Sequence, residues 1–285
     1  MNRTVYVNGE FLPESDAKIS IFDRGFIFSD GVYEVSSVLG GKLIENAGHL
    51  ARLRRSLNEL DMPSPASDEE IEAIQNKLIE LNAIDQGLVY LQVTRGAADR
   101  EFTWSDDMKP SLVMFTQAKE LINSPTAEKG ISVITTPDIR WQRRDIKTIG
   151  LLAPCMAKML AKSAGADDAW QVDEDGFITE GSSNNAYIVD ADGVIVTRQL
   201  SQKILHGITR KAILKLAEES TIRVEERPFS VDEALNASEA FISSASTFVW
   251  PVISIDGQAI GTGQPGPVAR RLREIYIKTA LESTR

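Results

Sequence analysis

The chain has 285 residues, of which 42% are hydrophobic and 25% are charged, a composition typical of a soluble globular protein with one large domain or two smaller ones. Its formal net charge of −10 at pH 7 argues against a nucleic-acid partner, because nucleic acids bind basic surfaces. One cysteine and two histidines exclude an intrachain disulfide and argue against a thiolate or histidine metal site.

The sequence also argues against a membrane partner. No apolar segment at the start resembles a signal peptide, and no run approaches the roughly 20 residues of a membrane-spanning helix. We therefore expect a soluble, cytoplasmic protein. The apolar neighbours of Cys155 predict a buried structural thiol.

The first part of the chain predicts strands joined by tight turns, followed by helices. Val5 and Val7 alternate with polar residues before Asn8-Gly9, a strong hairpin signal. Leucines at helical spacing predict a helix from Asn46. The remaining predicted elements are a strand from 32 that turns at 40–41 and returns through 43–44, a helix over 68–81 with Ser67 as N-cap, and strands over 88–94 and 112–116.

Residues 119–129 are polar, contain Pro125 and lack periodicity, so they predict a linker. This divides the chain into a smaller N-terminal α/β domain (1–118) and a larger C-terminal domain (130–285). Strands at hairpin spacing mixed with helices favour an α+β fold over a doubly wound parallel sheet. The second half predicts strands over 131–135, 240–243 and 249–255, helices over 151–164, 206–219 and 267–280, and hairpin turns at 175–176 and 192–193.

Lys147 and Glu180 form the first candidate site. Lys147 lies in an apolar stretch, and Glu180 follows in a turn rich in glycine and serine. A Schiff-base enzyme needs a desolvated lysine amine, because burial penalises its charged form. An acid can keep a cofactor's ring nitrogen protonated. Alone, either residue is weak evidence, since most lysines and glutamates are solvated.

Three further segments can bind an anion. Residues 207–210 place a glycine before a helix, whose first amides and dipole favour negative charge. Residues 243–247 are small and follow a strand, which allows a phosphate close to the backbone. Arg52, on the predicted helix, has the fork geometry for a phosphate. Taken motif by motif, the spacing favours an ordinary helix start and a solvated arginine, and residues 243–247 can be a plain turn.

With its motifs in the same order along the sequence, the chain resembles the fold-type IV pyridoxal-phosphate enzymes. These include D-amino-acid aminotransferases, branched-chain aminotransferases and aminodeoxychorismate lyases. Several spaced motifs in order are more specific than any one of them. The match runs from about residue 5 to residue 280 and rests on the segments 23–26, 30–35, 49–53, 145–147, 180–184 and 207–210.

The resemblance implies a two-domain α+β architecture, with the larger domain built of mixed, barrel-like strands and helices, and the cofactor pyridoxal 5'-phosphate. It implies that Lys147 forms the Schiff base and moves the substrate proton, and that Glu180 pairs with the pyridine nitrogen. The resemblance implies that the phosphate is bound by Arg52, by the amides of Ile208 and Thr209, and by the turn at Ser244 and Ala245. The family often has threonine at the position of Ala245. Ser182 and Ser183 stand where the family lines the cofactor face.

Within the family, the segments 32–35 and 92–96 look most like D-amino-acid aminotransferases, which implies a homodimer and ping-pong transfer from a D-alanine-like donor to 2-oxoglutarate. Tyr33 and Arg100 match the positions that bind the substrate carboxylate, the arginine from the partner subunit's loop. Phe102 stands where those enzymes have histidine, which makes the pocket more apolar. A branched-chain aminotransferase, an aminodeoxychorismate lyase, a solvated role for Arg100 and a non-catalytic cofactor-binding protein remain alternatives.

Overall fold

The computed structural model describes residues 3–283, which form two compact units. The first unit contains the described residues up to Glu120 together with Ile146–Gly150. The second contains Leu121–Asp145 and Leu151–Glu282. The sequence predicts the short segment Ile146–Gly150 in the C-terminal domain, but its residues pack with the first unit. Lys147 therefore belongs to the first unit.

A six-stranded antiparallel sheet forms the first unit, in the order β2-β1-β6-β5-β3-β4. The predicted hairpin at Asn8-Gly9 is confirmed, since Val7 pairs with Glu10 and both turn residues have positive φ. The elements are β1 (Thr4–Val7), β2 (Glu10–Pro13), α1 (Arg24–Phe28), β3 (Gly31–Leu39), β4 (Lys42–Ile44), α2 (Asn46–Asn58), α3 (Asp68–Leu81), β5 (Gly87–Thr94) and β6 (Ser111–Ala118).

Helices α2 and α3 cover one face of this sheet. Leu50, Leu53 and Leu57 of α2 join Ile71 and Leu78 of α3 in one buried cluster with residues of β3, β5 and β6. Helix α3 begins at Ser67 as predicted, because Ser67 and Glu70 form a reciprocal capping box. The other sheet face carries half-exposed side chains of β3, β5 and β6.

The second unit is built on a nine-stranded mixed sheet in the order β12-β11-β10-β13-β14-β7-β8-β9, with β15 paired to β14. Strand pairs β11/β12, β14/β7 and β7/β8 are parallel, and the others are antiparallel. The elements are α4 (Pro125–Lys129), β7 (Ile131–Pro137), α5 (Leu152–Ser163), β8 (Asp168–Val172), β9 (Ile178–Gly181), β10 (Asn185–Val189), β11 (Ile195–Thr197), α6 (Ile208–Glu219), β12 (Val224–Glu226), α7 (Val231–Leu235), β13 (Glu239–Ser244), β14 (Phe248–Ile255), β15 (Gln258–Ala259) and α8 (Pro267–Ser283).

The expected burial of Cys155 is wrong, because its side chain is exposed. Helix α5 packs on β8 through two small residues, Ala157 and Ala161. The larger apolar side chains of the helix point away from that contact, so apolar neighbours in sequence did not mean burial. The exposed large apolar side chains on α5 are Leu152, Met156, Met159 and Leu160.

The predicted linker over 119–129 also differs from the structure. Leu121 is buried, and Pro125–Lys129 forms α4, which begins at Ser124 as a side-chain cap and buries Ala127. Within residues 3–283, no helix is long and apolar enough to cross a membrane. No cluster of three or more His, Cys, Asp or Glu suited to a metal ion occurs in that range.

Candidate active site

Lys147 lies along the edge of β3 in the first unit. Its carbonyl accepts a hydrogen bond of 3.0 Å from the amide of Tyr33, and the next residue, Thr148, bridges to Val32. The Lys147 Nζ lies 4.2 Å from the centre of the Tyr33 ring. No carboxylate in the described part of the chain pairs with this amine, so it faces an aromatic surface and not an acid.

Tyr33 belongs to an aromatic stripe on the half-exposed face of the same sheet. Its ring stacks on Tyr90 at 5.6 Å, and Tyr90 stacks on Phe115 at 4.7 Å. The Tyr90 hydroxyl donates to Gln92 at 2.7 Å. Burial raises the pKa of Tyr90, so this hydroxyl stays neutral at ordinary pH. The stripe gives Lys147 a largely apolar, uncharged neighbourhood.

Arg52 is buried and is not a solvated flank of α2. Its Nε and Nη2 atoms each donate a hydrogen bond of 2.7 Å to Glu34 on β3, and His49 Nδ1 lies 2.8 Å from the same carboxylate. Burial alone would raise the pKa of Glu34, but Arg52 and His49 lower it to about 2. Glu34 is therefore ionised, and it fixes the orientation of the Arg52 guanidinium.

Arg100 and Phe102 lie together on the loop after β5. The Arg100 guanidinium lies 5.5 Å from the Phe28 ring centre and 5.4 Å from that of Phe102. The two rings are 5.5 Å apart. Phe102 is 71% exposed, which is unusual for so large an apolar side chain. The loop thus presents a cation beside an exposed aromatic ring.

A buried arginine on α1 holds this loop. Arg24 donates through Nη1 to the carbonyls of Glu101 and Thr103 at 2.6 and 3.2 Å, and through Nη2 to the carbonyl of Phe102 at 3.3 Å. Its Nε donates to Asp30 at 2.8 Å. Three consecutive carbonyls are therefore bound by one guanidinium, which limits the freedom of the segment beside Arg100.

In the second unit, Glu180 lies one residue before the end of β9, and hydrogen-bond donors surround its carboxylate. Arg140 donates to Oε1, and Asn185 Nδ2 donates to Oε2 at 3.0 Å. The Leu205 amide donates to both oxygens, at 3.3 and 3.1 Å. Burial raises the pKa of Glu180, and the positive charge of Arg140 opposes that rise. Arg140 is itself aligned by two hydrogen bonds to Asp138, of 2.9 and 2.7 Å.

The start of α6 has backbone amides that can bind an anion. Gly207 is the N-cap and provides no side-chain cap. The amides of Ile208 and Thr209 donate no hydrogen bond within residues 3–283. Since both point out from the first turn of a twelve-residue helix, they can bind a phosphate with help from the helix dipole.

The turn after Glu180 is organised by Asp168 on β8. The Ser182 hydroxyl donates to Asp168 at 2.5 Å, and Asn184 Nδ2 donates to it at 2.6 Å. Ser182 is buried, whereas Ser183 is exposed. The Ser182 hydroxyl thus supports the turn, and Ser183 is the serine of the pair that lies open to a ligand.

Ser244 and Ala245 lie at the turn between β13 and β14, both half-buried. The Ser244 hydroxyl lies 3.2 Å from that of Ser246 and 2.8 Å from that of Thr247. A cluster of three hydroxyls suits a phosphate. Ser244 and Ala245 are the two residues of this turn that the resemblance implies as phosphate ligands.

The residues present fit pyridoxal 5'-phosphate. The cofactor's aldehyde needs an amine such as Lys147, its ring nitrogen needs a carboxylate such as Glu180, and its phosphate needs free amides such as those of Ile208 and Thr209. Sequence reasoning missed the side chains that orient these groups. Their contacts join residues distant in the chain and leave no local pattern; they are Glu34, Arg24, Arg140, Asp168 and Asn185.

Comparisons with known proteins agree with this chemistry. A family model described as amino-transferase class IV matches residues 31–255. A protein named D-alanine aminotransferase from Staphylococcus aureus (strain MSSA476) is 40% identical over 275 residues, which cover 96% of either chain. Another protein of that name, from Bacillus licheniformis, is 39% identical over 282 residues, which cover 98% of either chain.

Solved structures with a similar fold carry a different name. A branched-chain amino acid aminotransferase from T.th. with pyridoxamine 5'-phosphate matches with a TM-score of 0.91 and 27% identity, over 98% of this chain and 94% of that one. The branched-chain enzyme from Escherichia coli matches with a TM-score of 0.89 and 24% identity, over 98% and 95% of the two chains. The latter likeness shows the fold alone.

Proposed function

The chain belongs to the amino-transferase class IV family, and we propose that it transfers the amino group of D-amino acids to 2-oxo acids. In the proposed reaction D-alanine gives up its amino group as pyruvate leaves, and 2-oxoglutarate then accepts the group to become D-glutamate. The enzyme alternates between two cofactor forms, which is a ping-pong scheme. Pyridoxal 5'-phosphate is the proposed cofactor.

The observation that carries the choice of D-amino acids is the identity to proteins named D-alanine aminotransferase. That identity is 40% over 96% of the chain, against 27% for the branched-chain structure from T.th.. The site supports an aminotransferase of either kind, because Lys147 has no acid partner in the described chain and Glu180 is buried among donors. Branched-chain transamination is the alternative that the structural neighbours favour.

Pyridoxal phosphate, when bound, withdraws electrons from the substrate's α carbon and so makes its proton acidic. Lys147 provides the amine that holds the cofactor and then moves the proton from that α carbon. Glu180 accepts a hydrogen bond from the protonated ring nitrogen and keeps the proton there.

The phosphate is the proposed ligand of the amides of Ile208 and Thr209 and of the turn at Ser244 and Ala245. Arg52 is proposed to add a charged hydrogen bond, with Glu34 holding its guanidinium in one orientation. Ser183 is proposed to contact the cofactor directly, whereas Ser182 supports the same turn through Asp168.

Tyr33 and, as the resemblance implies, Arg100 of the partner subunit are proposed to bind the substrate carboxylate, and Phe102 to make the surroundings of that carboxylate more apolar. Arg100 lies over the rings of Phe28 and Phe102, so the cation is partly positioned before any substrate binds. An aromatic ring beside it cannot replace the hydrogen bonds of a histidine. We therefore propose that Phe102 shifts preference among amino acids and does not abolish carboxylate binding.

We further propose that the active form is a homodimer. Large apolar side chains are exposed in each unit. The family resemblance implies that a second copy of the chain covers them. Burying them would contribute about 25 cal/mol for each Å² removed from water. They are Ile21, Phe22, Phe26, Phe102 and Trp104 in the first unit, and Ile139, Trp141, Leu152, Met156, Met159 and Leu160 in the second.

The proposed function is tested by incubating the purified protein, reconstituted with pyridoxal phosphate, with D-alanine and 2-oxoglutarate. Chiral chromatography should detect D-glutamate, and pyruvate should form in an equal amount. Lys147→Ala should form neither product while the protein remains folded. The matched control is Lys77→Ala, which removes an exposed lysine of α3 in the same unit as Lys147.

A panel of amino donors separates the alternatives. If L-leucine or L-valine reacts faster than D-alanine, the branched-chain function replaces the proposed one. Release of pyruvate from aminodeoxychorismate, without an amino acceptor, would indicate a lyase. Cofactor binding without turnover of any donor would indicate a binding protein.

A further inference from the structure

Asn185 occupies a buried position at the first residue of β10, where three parts of the second unit meet. Its Nδ2 atom donates to Glu180 Oε2 at 3.0 Å and to the carbonyl of Leu205 at 3.1 Å. The side chain is thus shared by the carboxylate at the end of β9 and the turn that leads into α6.

The contact between Asn185 and the start of α6 is very close. A Cβ atom added to Gly207 would lie 2.1 Å from Asn185 Oδ1, a distance that no side chain can occupy. Glycine therefore lets the helix start rest directly on the amide. Leu205 strengthens the same link, because its own amide donates to both oxygens of Glu180.

Asn185 is also tied to the turn that follows β13. In the sheet it pairs with Ser243, whose hydroxyl lies 2.7 Å from that of Tyr187. Ser244, the first residue of the hydroxyl cluster, comes next in the chain. The backbone of Asn185 is therefore held by the sheet while its side chain bonds Glu180 and the α6 turn.

We propose that Asn185 is a positioning residue that fixes the spacing between Glu180 and the first amides of α6. This inference rests on the proposed function, in which Glu180 meets the ring nitrogen of pyridoxal phosphate and the amides of α6 meet its phosphate. The cofactor is a rigid ring with a short phosphate arm. Its two ends contact the protein well together only if the two protein groups are correctly spaced.

An amide is the side chain that this position requires. Asn185 donates two hydrogen bonds from one NH2 group, one to a carboxylate and one to a carbonyl. Aspartate has the same shape but cannot donate when ionised, and it would place a second negative charge beside Glu180. Alanine would leave the Leu205 carbonyl without this donor.

The test compares two ligands, pyridoxal 5'-phosphate and pyridoxal, which lacks the phosphate. The dissociation constant of pyridoxal divided by that of pyridoxal 5'-phosphate measures what the phosphate contributes to binding once the ring is bound. In Asn185→Ala this ratio should fall by about tenfold, because the phosphate no longer meets α6 at the correct distance. Thr197→Val is the control: it removes a buried hydrogen bond of 2.9 Å in the neighbouring strand β11 but touches neither Glu180 nor α6, and it should keep the wild-type ratio.

Asn185→Asp tests the donor role in a side chain of unchanged shape and serves if the alanine variant does not fold. Its ratio should be low where both carboxyls are ionised and should recover as the pH is lowered, because protonation of one carboxyl of the pair restores a donor. A general loss of stability would weaken both ligands equally and would leave the ratio unchanged. If the folded variants keep the wild-type ratio at all pH values, Asn185 does not set the spacing.

Cofactor binding and transamination by the wild type distinguish a failure of this inference from a failure of the proposed function. A wild-type protein that does not bind pyridoxal phosphate contradicts both. A wild type that binds the cofactor and transaminates, combined with variants of unchanged ratio, contradicts only the role of Asn185.

Discussion

The guanidinium of Arg52 donates two hydrogen bonds of 2.7 Å to the carboxylate of Glu34, one from Nε and one from Nη2. Both side chains are buried, so the pair orients Arg52 before any phosphate arrives. A guanidinium that is already oriented loses less conformational freedom on binding an anion. Glu34 is therefore part of the proposed phosphate site although it does not touch the phosphate.

Replacing Glu34 with Gln should change how stability depends on pH. The folded-state pKa of Glu34 is lowered to about 2 from 4.5, so its contribution is present above pH 4.5 and is lost as the pH falls towards 2. The unfolding free energy of the wild type should drop by about 2 kcal/mol more than that of Glu34→Gln between about pH 5 and pH 3. Urea denaturation of the two cofactor-free proteins at each pH measures this difference in unfolding free energy. Parallel pH curves for the two proteins would contradict the ion pair.

Arg140→Met should move the acid limb of the activity profile to higher pH. Burial raises the pKa of Glu180, and Arg140 opposes that rise. Without the guanidinium the pKa rises further, so the carboxyl becomes protonated at a pH where the wild type is still ionised. The pH dependence of kcat and of the bound cofactor's absorption should shift in the same direction. Arg140→Lys keeps the charge and should restore much of the profile; identical profiles for wild type and Arg140→Met would show that the ion pair does not act on Glu180.

Arg24→Met should raise the KM for D-alanine by about tenfold while leaving the affinity for pyridoxal phosphate unchanged. Arg24 binds the carbonyls of residues 101–103, so its loss frees the loop that carries Arg100. Arg3→Met is the control, because Arg3 also binds a backbone carbonyl, that of Thr116, away from this loop. Equal KM values for the two variants would contradict the anchoring role.

Met159→Glu should weaken the proposed dimer. The side chain is 58% exposed on α5, and a charge there would be buried without a partner when a second copy docks. Sedimentation velocity should give a wild type of twice the mass of one chain and a variant that dissociates on dilution. Lys162→Glu changes a charged, exposed side chain of the same helix and should stay dimeric. A monomeric wild type that is fully active would remove the dimer from the mechanism.

Local sequence patterns predicted the elements that depend on local chemistry. Ser67 and Glu70 mark the start of α3 because a capping box involves residues three apart. Asn8-Gly9 marks the hairpin because both residues accept positive φ. Gly207 marks the start of α6 because a glycine before a helix leaves its first amides open. The motifs around Lys147 and Glu180 were recognisable because they are short, continuous segments.

The orienting contacts could not be predicted, because they join positions far apart in the chain. Lys147 pairs through its backbone with Tyr33, and that contact places the lysine in the first unit. Arg140 meets Glu180 from forty residues away. The burial of Cys155 was predicted wrongly because the sequence does not show which face of α5 packs on β8, and small alanines form that face. These contacts follow from the sheet topology, which no local periodicity reveals.

The half-reaction is the most direct test of whether this aminotransferase acts on D-amino acids. The reconstituted protein is mixed with a single amino acid and no acceptor, and the cofactor's absorption is followed as the amino group is transferred. D-alanine should convert the aldehyde form to the amine form and release pyruvate, at a rate well above those of L-leucine and L-valine. Faster conversion by L-leucine or L-valine, with D-alanine inert, would contradict the assignment to D-amino acids.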